Sequence, residues 1–244
     1  MKKIITILFL ALTNIALAQE TVTLRLNYEK GANYTVSMKM SQNMGGIMAM
    51  NMGIDMSIKI TDVKEDVYES EMKFSKFTMD MIQGEKTMSF DSSKSDEDLD
   101  DESKMMKQQM GPILEALIYA KGNNLGEVLE IKVEPNIPNI KDIANQSSSV
   151  VYPKEAIQKG SSWKMTREDK GMKMDFIYTV NSITKESVML DISGTVSGLA
   201  TGKISGKMNV DKLTGIPVES TIDMDMLASG QELKTKVTMN MTKK

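Results

Sequence analysis

The sequence predicts a mainly β (α+β) protein. The expected form is a strongly curved antiparallel sheet, or half-barrel, packed on one central amphipathic helix, with a two-half internal repeat. Three observations point there. Apolar and polar residues alternate with period two over most of the chain, the pattern of strands with one wet face. Only the stretch 103–120 carries apolar residues at convincing helical spacing. Turn-forming residues separate the alternating runs.

The first element is not part of the fold. Met1-Lys2-Lys3 is a basic head, Ile4 to Leu12 is apolar but for Thr6, and Ala16-Leu17-Ala18 is a small-x-small cleavage signal. Residues 1–18 therefore read as a signal peptide cut after Ala18. The apolar run is shorter than the ~20 residues a membrane span needs. Gln19 rather than Cys follows the cut, so no acyl anchor is expected and the protein is not a lipoprotein. The expectation is an exported chain, periplasmic or extracellular and not membrane-spanning after cleavage. Residues 19–244 then form a single antiparallel β domain.

Val22, Leu24, Leu26 and Tyr28 alternate as a first strand, Lys30 to Asn33 turn, and Tyr34 to Met40 alternate again. The clearest signal follows. Met48, Met50, Met52, Ile54, Met56, Ile58 and Ile60 occupy consecutive even positions with no miss. At ~3.3 Å per residue this run spans roughly 40 Å and must twist or curve; Gly53 is the natural bending point. From Val67 to Met81 the apolar parity switches near Ser75-Lys76, the mark of a β-bulge. Thr87 to Phe90 form a short strand. The acidic loop 91–104 precedes the helix 103–120, whose Gly111-Pro112 either kinks it or starts its main part. Leu125 to Val133 read as a strand and 135–149 as a connection with a helical turn at 139–145. Further strands are expected at 162–168, 172–183, 187–197, 200–210, 216–227 and 231–242.

The halves 19–134 and 150–244 look alike. Gly31-x-x-Tyr34 opens one and Gly160-x-x-Trp163 the other, and in each a long alternating strand runs into a charged turn. This order of features resembles an uncharacterised family of exported bacterial proteins carrying a domain of unknown function. The matching elements are the signal peptide, the Tyr34 strand after Gly31, the mid-chain helix and Leu125-Gly126-Glu127-Val128. Pro153, Gly160-Ser161-Ser162-Trp163 and the turn Asp211…Thr214-Gly215 match as well. More loosely, a curved sheet clasping a helix is similar to the lipoprotein-carrier fold of the periplasm, which implies an apolar cavity.

Composition removes several chemistries. There is no Cys and no His, so thiolate nucleophiles, imidazole bases and the usual zinc ligands are absent. The arginines are Arg25 and Arg167 alone, which argues against a nucleic-acid partner. Aromatics at 5% are too few for the girdles of a membrane barrel. Asp96-x-Asp98-x-Asp100 imitates a calcium loop but has Asp101 where Gly belongs and Lys107 where Glu belongs. Ser161-Ser162-Trp163-Lys164 has the residue types of a Ser-Lys dyad, and Asp223/Asp225 are paired acids on a wet strand face. Neither makes a case for catalysis, so no enzyme and no cofactor are expected.

Methionine is the unusual term, at 24 residues. Its M-x-M pairs place thioethers on one strand face, which suits Cu(I), a deformable apolar ligand site or plain core. The leading expectation is a non-enzymatic binding or carrier protein for an apolar small molecule, a lipid or a partner's apolar segment. Its ligand would face Met48, Met50, Met52, Met56, Met79, Met81, Met174 and Phe176, with Leu114, Leu117 and Ile118 as lid. The alternatives are a structural envelope protein with a solid core, contacting an envelope protein partner, and a Met-based Cu(I) binder.

Overall fold

The alternating runs become long antiparallel strands that bury one face. The computed structural model describes residues 20–137, 150–169 and 171–244. The signal-peptide stretch 1–18 and the helical turn expected at 139–145 lie outside these residues. The strands are β1 (Thr21–Val22), β2 (Asn33–Met44), β3 (Met48–Lys64), β4 (Val67–Gln83), β5 (Lys86–Asp91), β6 (Leu117–Asn123) and β7 (Val128–Glu134). After them come β8 (Ile157–Gln158), β9 (Ser162–Asp169), β10 (Met172–Ile183), β11 (Ser187–Gly198), β12 (Ala200–Asp211), β13 (Pro217–Ala228) and β14 (Gln231–Lys243). Among the described residues one α-helix, α1 (Asp101–Glu115), stands between β5 and β6.

Twelve strands form one sheet in the order β7-β6-β4-β3-β2-β14-β13-β12-β11-β10-β9, with β5 sharing the outer edge of β4 beside β6. The last strand, β14, pairs with β2 and so sews the N-terminal meander to the C-terminal one. The sheet curls on its apolar side without closing: Ala120 and Ile131 from β6 and β7 line the same groove as Pro217 and Met239 from β13 and β14. The edges β7 and β9 carry Glu130, Lys132, Lys164 and Glu168, which discourage edge-to-edge pairing.

Glycines permit part of this curvature. At Gly194, Gly202 and Gly206 an added Cβ would lie 2.1, 2.3 and 2.2 Å from the carbonyl oxygens of Asp175, Asp225 and Thr221. Only a residue without Cβ allows so close an approach. The bulge expected near Ser75 is present: Asp55 pairs with Lys76 and Met56 with Phe74, leaving Ser75 as the extra residue. Both Phe74 and Phe77 thereby stay on the apolar face.

The two halves repeat one construction. Gly31 and Gly160 have φ of 85° and 86°. Gly31 N donates to Ile60 O and Ile60 N to Ala32 O; Gly160 N donates to Val180 O and Val180 N to Ser161 O. Ile60 and Val180 are fully buried, and a register shift follows each. Opposite Ile60 lies Ser70, then Ala120 on the next strand. Opposite Val180 lies Leu190, then Met208.

The structure corrects the expected helix. α1 ends at Glu115, and Leu117 and Ile118 belong to β6, because Leu114, Leu117 and Ile118 satisfy helical spacing while Ile118 and Ala120 also alternate as a strand that pairs the free edge of β4. Nor is α1 central. Asp100 caps it by accepting from Ser103 N at 2.7 Å, Ser103 is its sole buried residue, and it packs on β4 and β5. With Lys104, Lys107, Gln108 and Gln109 in its middle, it has too little apolar surface to fill a curled sheet.

Two extended segments do that work. The run 22–28, expected as a strand, pairs through Thr21 and Val22 with β8 alone. Beyond that it threads the sheet: Leu26 N donates to Asn124 O and Asn27 N to Thr214 O, linking the β6–β7 and β12–β13 turns across the curl. Arg25 donates to Pro153 O at 3.0 Å and Lys154 O at 2.7 Å. Tyr152 Oη donates to Gly215 O at 2.8 Å, and Trp163 Nε1 to Val151 O at 2.8 Å. Leu24, Leu26, Val150, Tyr152 and Ile157 are buried against Tyr34, Ile60, Tyr178, Val180 and Val210. Each such side chain contributes roughly 1.5–3 kcal/mol.

At the far corner Asp91 ends β5. Its carboxylate accepts from the Ser93 hydroxyl at 2.6 Å and the Ser93 amide at 2.9 Å, and pairs with Lys76 at 3.0 Å. The Ser93 hydroxyl first, then its amide and Lys76, hold the acid down at about 2.

Three outcomes follow from this architecture. Leu26→Ala should cost about 2–5 kcal/mol in chemical denaturation, since it opens a cavity where three segments meet. Gly206→Ala should cost about 1–3 kcal/mol by forcing strands apart; a neutral result would remove the curvature argument. Asp91 titrates lower folded than the ordinary 3.8, so the stability it confers is present above about pH 4 and lost as pH falls toward about 2. In melting curves Asp91→Asn should be less stable than the parent at neutral pH, and the gap should close in that acid range.

Candidate functional site

Alternation fixes which residues share a face, and pairing then fixes their sideways neighbours. Val237, Met40, Met52, Met79 and Phe90 form one row across β14, β2, β3, β4 and β5. Thr235, Gln42, Met50, Met81 and Met88 form the next row. Met44 faces Met48 at the hairpin beyond. Adjacent strands lie ~4.8 Å apart, so these thioethers pave a continuous patch. Its members Met40, Met44, Met48, Met50, Met52, Met79, Met81 and Met88 are all partly buried. The patch interleaves with Ile54, Val237 and Phe90, which offer no metal donor.

Toward the charged turns the face dips into a groove. Its walls are Met56, Ile58 and Ile60 on β3, Tyr68, Ser70 and Met72 on β4, Ala120 and Ile131 on β6 and β7, and Met239 and Met241 on β14. Tyr28 from the threading segment sits edge-on to Tyr68 at 4.7 Å and to Tyr34 at 5.5 Å. Burial pushes the Tyr28 and Tyr68 phenols up, so both are neutral at any ordinary pH. The cavity volume is about 140 Å³. That is below the ~300 Å³ of a typical small-molecule site and close to the size that holds one benzene. A longer ligand must lie partly in the groove and partly along the methionine patch.

Of the residues singled out in the sequence, Met56 lines the groove. Met48, Met50, Met52, Met79 and Met81 lie on the same face beyond it. Met174 packs partly buried against the main core, and Phe176 is buried within it. The expected lid of Leu114, Leu117 and Ile118 does not form. Ile118 is buried in a second cluster with Ala116, Ile131 and Val133, Leu117 lies on the opposite parity of β6, and Leu114 stays on α1. Tyr28, Tyr68, Ser70, Ala120 and Ile131 were not singled out. The Ser70–Ala120 pair of small residues on apolar parity was the available signal, but it emerges only once β4 is paired with β6.

The other motifs resolve into local structure. Asp96 pairs with Lys107, Asp98 accepts from Ser95 and Asp100 caps α1. Ser161 Oγ accepts from Gln158 N, while Trp163 stacks on Tyr178 at 5.5 Å. Asp223 pairs with Lys236 on the outer face. Arg167 lies on the apolar parity of β9, 5.9 Å from the Phe176 ring, and burial lowers its pKa.

No family model and no curated protein matches the chain. Among solved structures the chain is similar to one described as lipid–protein interactions in lipovitellin, with a TM-score of 0.57 and 9% identity over 89% of this chain. It spans 25% of that protein's length. At that identity the likeness is one of fold, a mainly β architecture built on a large curved antiparallel sheet.

Proposed function

We propose that this chain is an exported, non-enzymatic carrier for a single apolar chain, such as the acyl tail of a lipid. One observation carries the proposal. The repeat places Leu190 and Met208 in one half and Ser70 and Ala120 in the other, and a groove stands where the small pair is. On the same face, beyond the row of Met38 and Ile54, lies the methionine patch, whose flexible side chains can part around an irregular tail. The likeness to a protein described by its lipid interactions supports the reading at the level of fold.

The test fills the groove with the other half's own residues. The probe is a fluorescent polyene fatty acid, whose emission rises on entering an apolar site. The parent chain should bind it, and Ser70→Leu with Ala120→Met should weaken binding about tenfold or more, a loss of ~1.4 kcal/mol. Circular dichroism should show the variant folded. If the parent leaves the probe dark and carries no lipid in native mass spectra after gentle extraction, the carrier reading fails. The structural-envelope alternative then gains, and the copper alternative is settled by Cu(I) titration of Met50→Leu/Met52→Leu.

A further inference from the structure

The two ends of the sheet differ in chemistry. At one end the turns read Lys64-Glu65-Asp66, Lys185-Glu186 and Asp211-Lys212, with Leu213 as an exposed apolar residue among charges. The threading segments fill that end. At the other end the β2–β3, β11–β12 and β13–β14 tips, 42–50, 196–202 and 226–231, contain no ionisable residue. Two further hairpins at this end carry charges of both signs: β4–β5 has Glu85 beside Lys86, and at β9–β10, next to Leu199, the sequence reads Glu168-Asp169-Lys170 with Glu168 opposite Lys173.

Four of these five hairpins, all but β9–β10, also expose one large aliphatic side chain. They are Ile82 at 53%, Ile47 at 54%, Leu227 at 50% and Leu199 at 73% exposure. In sheet order the hairpins are neighbours: β4–β5, β2–β3, β13–β14, β11–β12. Tips two strands apart stand ~10 Å from one another, so the row runs ~30 Å along the rim. The methionine patch ends at this rim, where Met44 faces Met48 and Leu233 faces Met44. Behind the tips, opposite charges sit side by side on the outer face, with Asp225 between Lys203 and Lys234 and Glu232 on the same face of β14.

Resting on the carrier reading, we propose that this neutral rim docks on an uncharged lipid bilayer, with Ile47, Ile82, Leu199 and Leu227 inserted between headgroups, and that the ligand passes there onto the methionine patch. Single aliphatic tips spaced this widely do not make the packed central cluster that a protein partner needs. A fluid apolar surface accepts them one by one. The balanced charge behind them gives no pull toward anionic lipid, which separates this surface from a polybasic one.

The experiment is flotation of the purified chain with vesicles of phosphatidylcholine alone and with phosphatidylglycerol added. Binding should be similar in both and insensitive to salt. Ile47→Asp with Leu199→Asp should lower vesicle partition about tenfold or more, since each removes an inserted side chain and adds a charge. Both positions are exposed, so the fold should be unchanged by circular dichroism. Leu199→Trp should be quenched by brominated phosphatidylcholine while Trp163, in the filled end, is not. Unchanged partition of the double variant overturns the proposal. So does binding that needs anionic lipid and falls with salt, or a self-association that the double variant abolishes in the absence of vesicle binding. Polyene uptake in solution separates the two ideas: retained uptake without vesicle binding leaves the carrier standing and removes the dock, while docking without uptake does the reverse.

Discussion

A sheet of twelve strands with one apolar face cannot leave that face in water, and the rest of the molecule follows from how the face is covered. No second sheet is present among the described residues beyond the β1–β8 pair, and the helix is too polar. The chain instead curls the sheet on itself and threads two short segments through the curl. Leu26 N to Asn124 O and Asn27 N to Thr214 O tie turns that are far apart in sequence, so the threading segment both fills the curl and fixes its width. Backbone amides that would be strand edges are thereby satisfied by loops.

Coverage is graded along the strands, and the residue types follow the grade. Where packing is complete the face is built from Val180, Val188, Leu190, Val210 and Ile216. Branched residues have few rotamers and specify a single arrangement. Where the face is left partly open it is built from Met40, Met44, Met48, Met50, Met52, Met79, Met81 and Met88. Methionine tolerates many arrangements at small cost. These methionines therefore line the portion of the face that the chain itself does not cover, whereas Met208 and Met241 are buried with the core.

Much of this was legible. Period-two alternation located β10 at 172–183 as it stands and the other C-terminal strands within a residue or so, because side-chain parity is a local property. The Ser75 bulge was legible for the same reason. Residues 117–120 were misread as helix because Leu114, Leu117 and Ile118 fit both periods, and the free edge of β4 decides between them. Beyond Val22, which pairs with β8, the 22–28 run has strand parity but no strand partner. Pairing of β14 with β2, and of β4 with β6, joins residues distant in sequence, so the groove those pairings build had no local signature.

The groove itself is best understood by comparing the halves. Gly31 and Gly160 set the same turn, Ile60 and Val180 occupy the same buried position, and a bulge follows both. With backbone construction held in common, the difference in filling must come from side chains. Leu190 and Met208 fill one half to full burial, whereas Ser70 and Ala120 stop short and leave walls of Met56, Met72 and Met241 facing space. A cavity next to a solid core costs stability that a larger residue at Ser70 would restore. The construction that permits filling is present in the same chain and is used on this face in one half only, and this asymmetry between the halves is what the carrier proposal rests on.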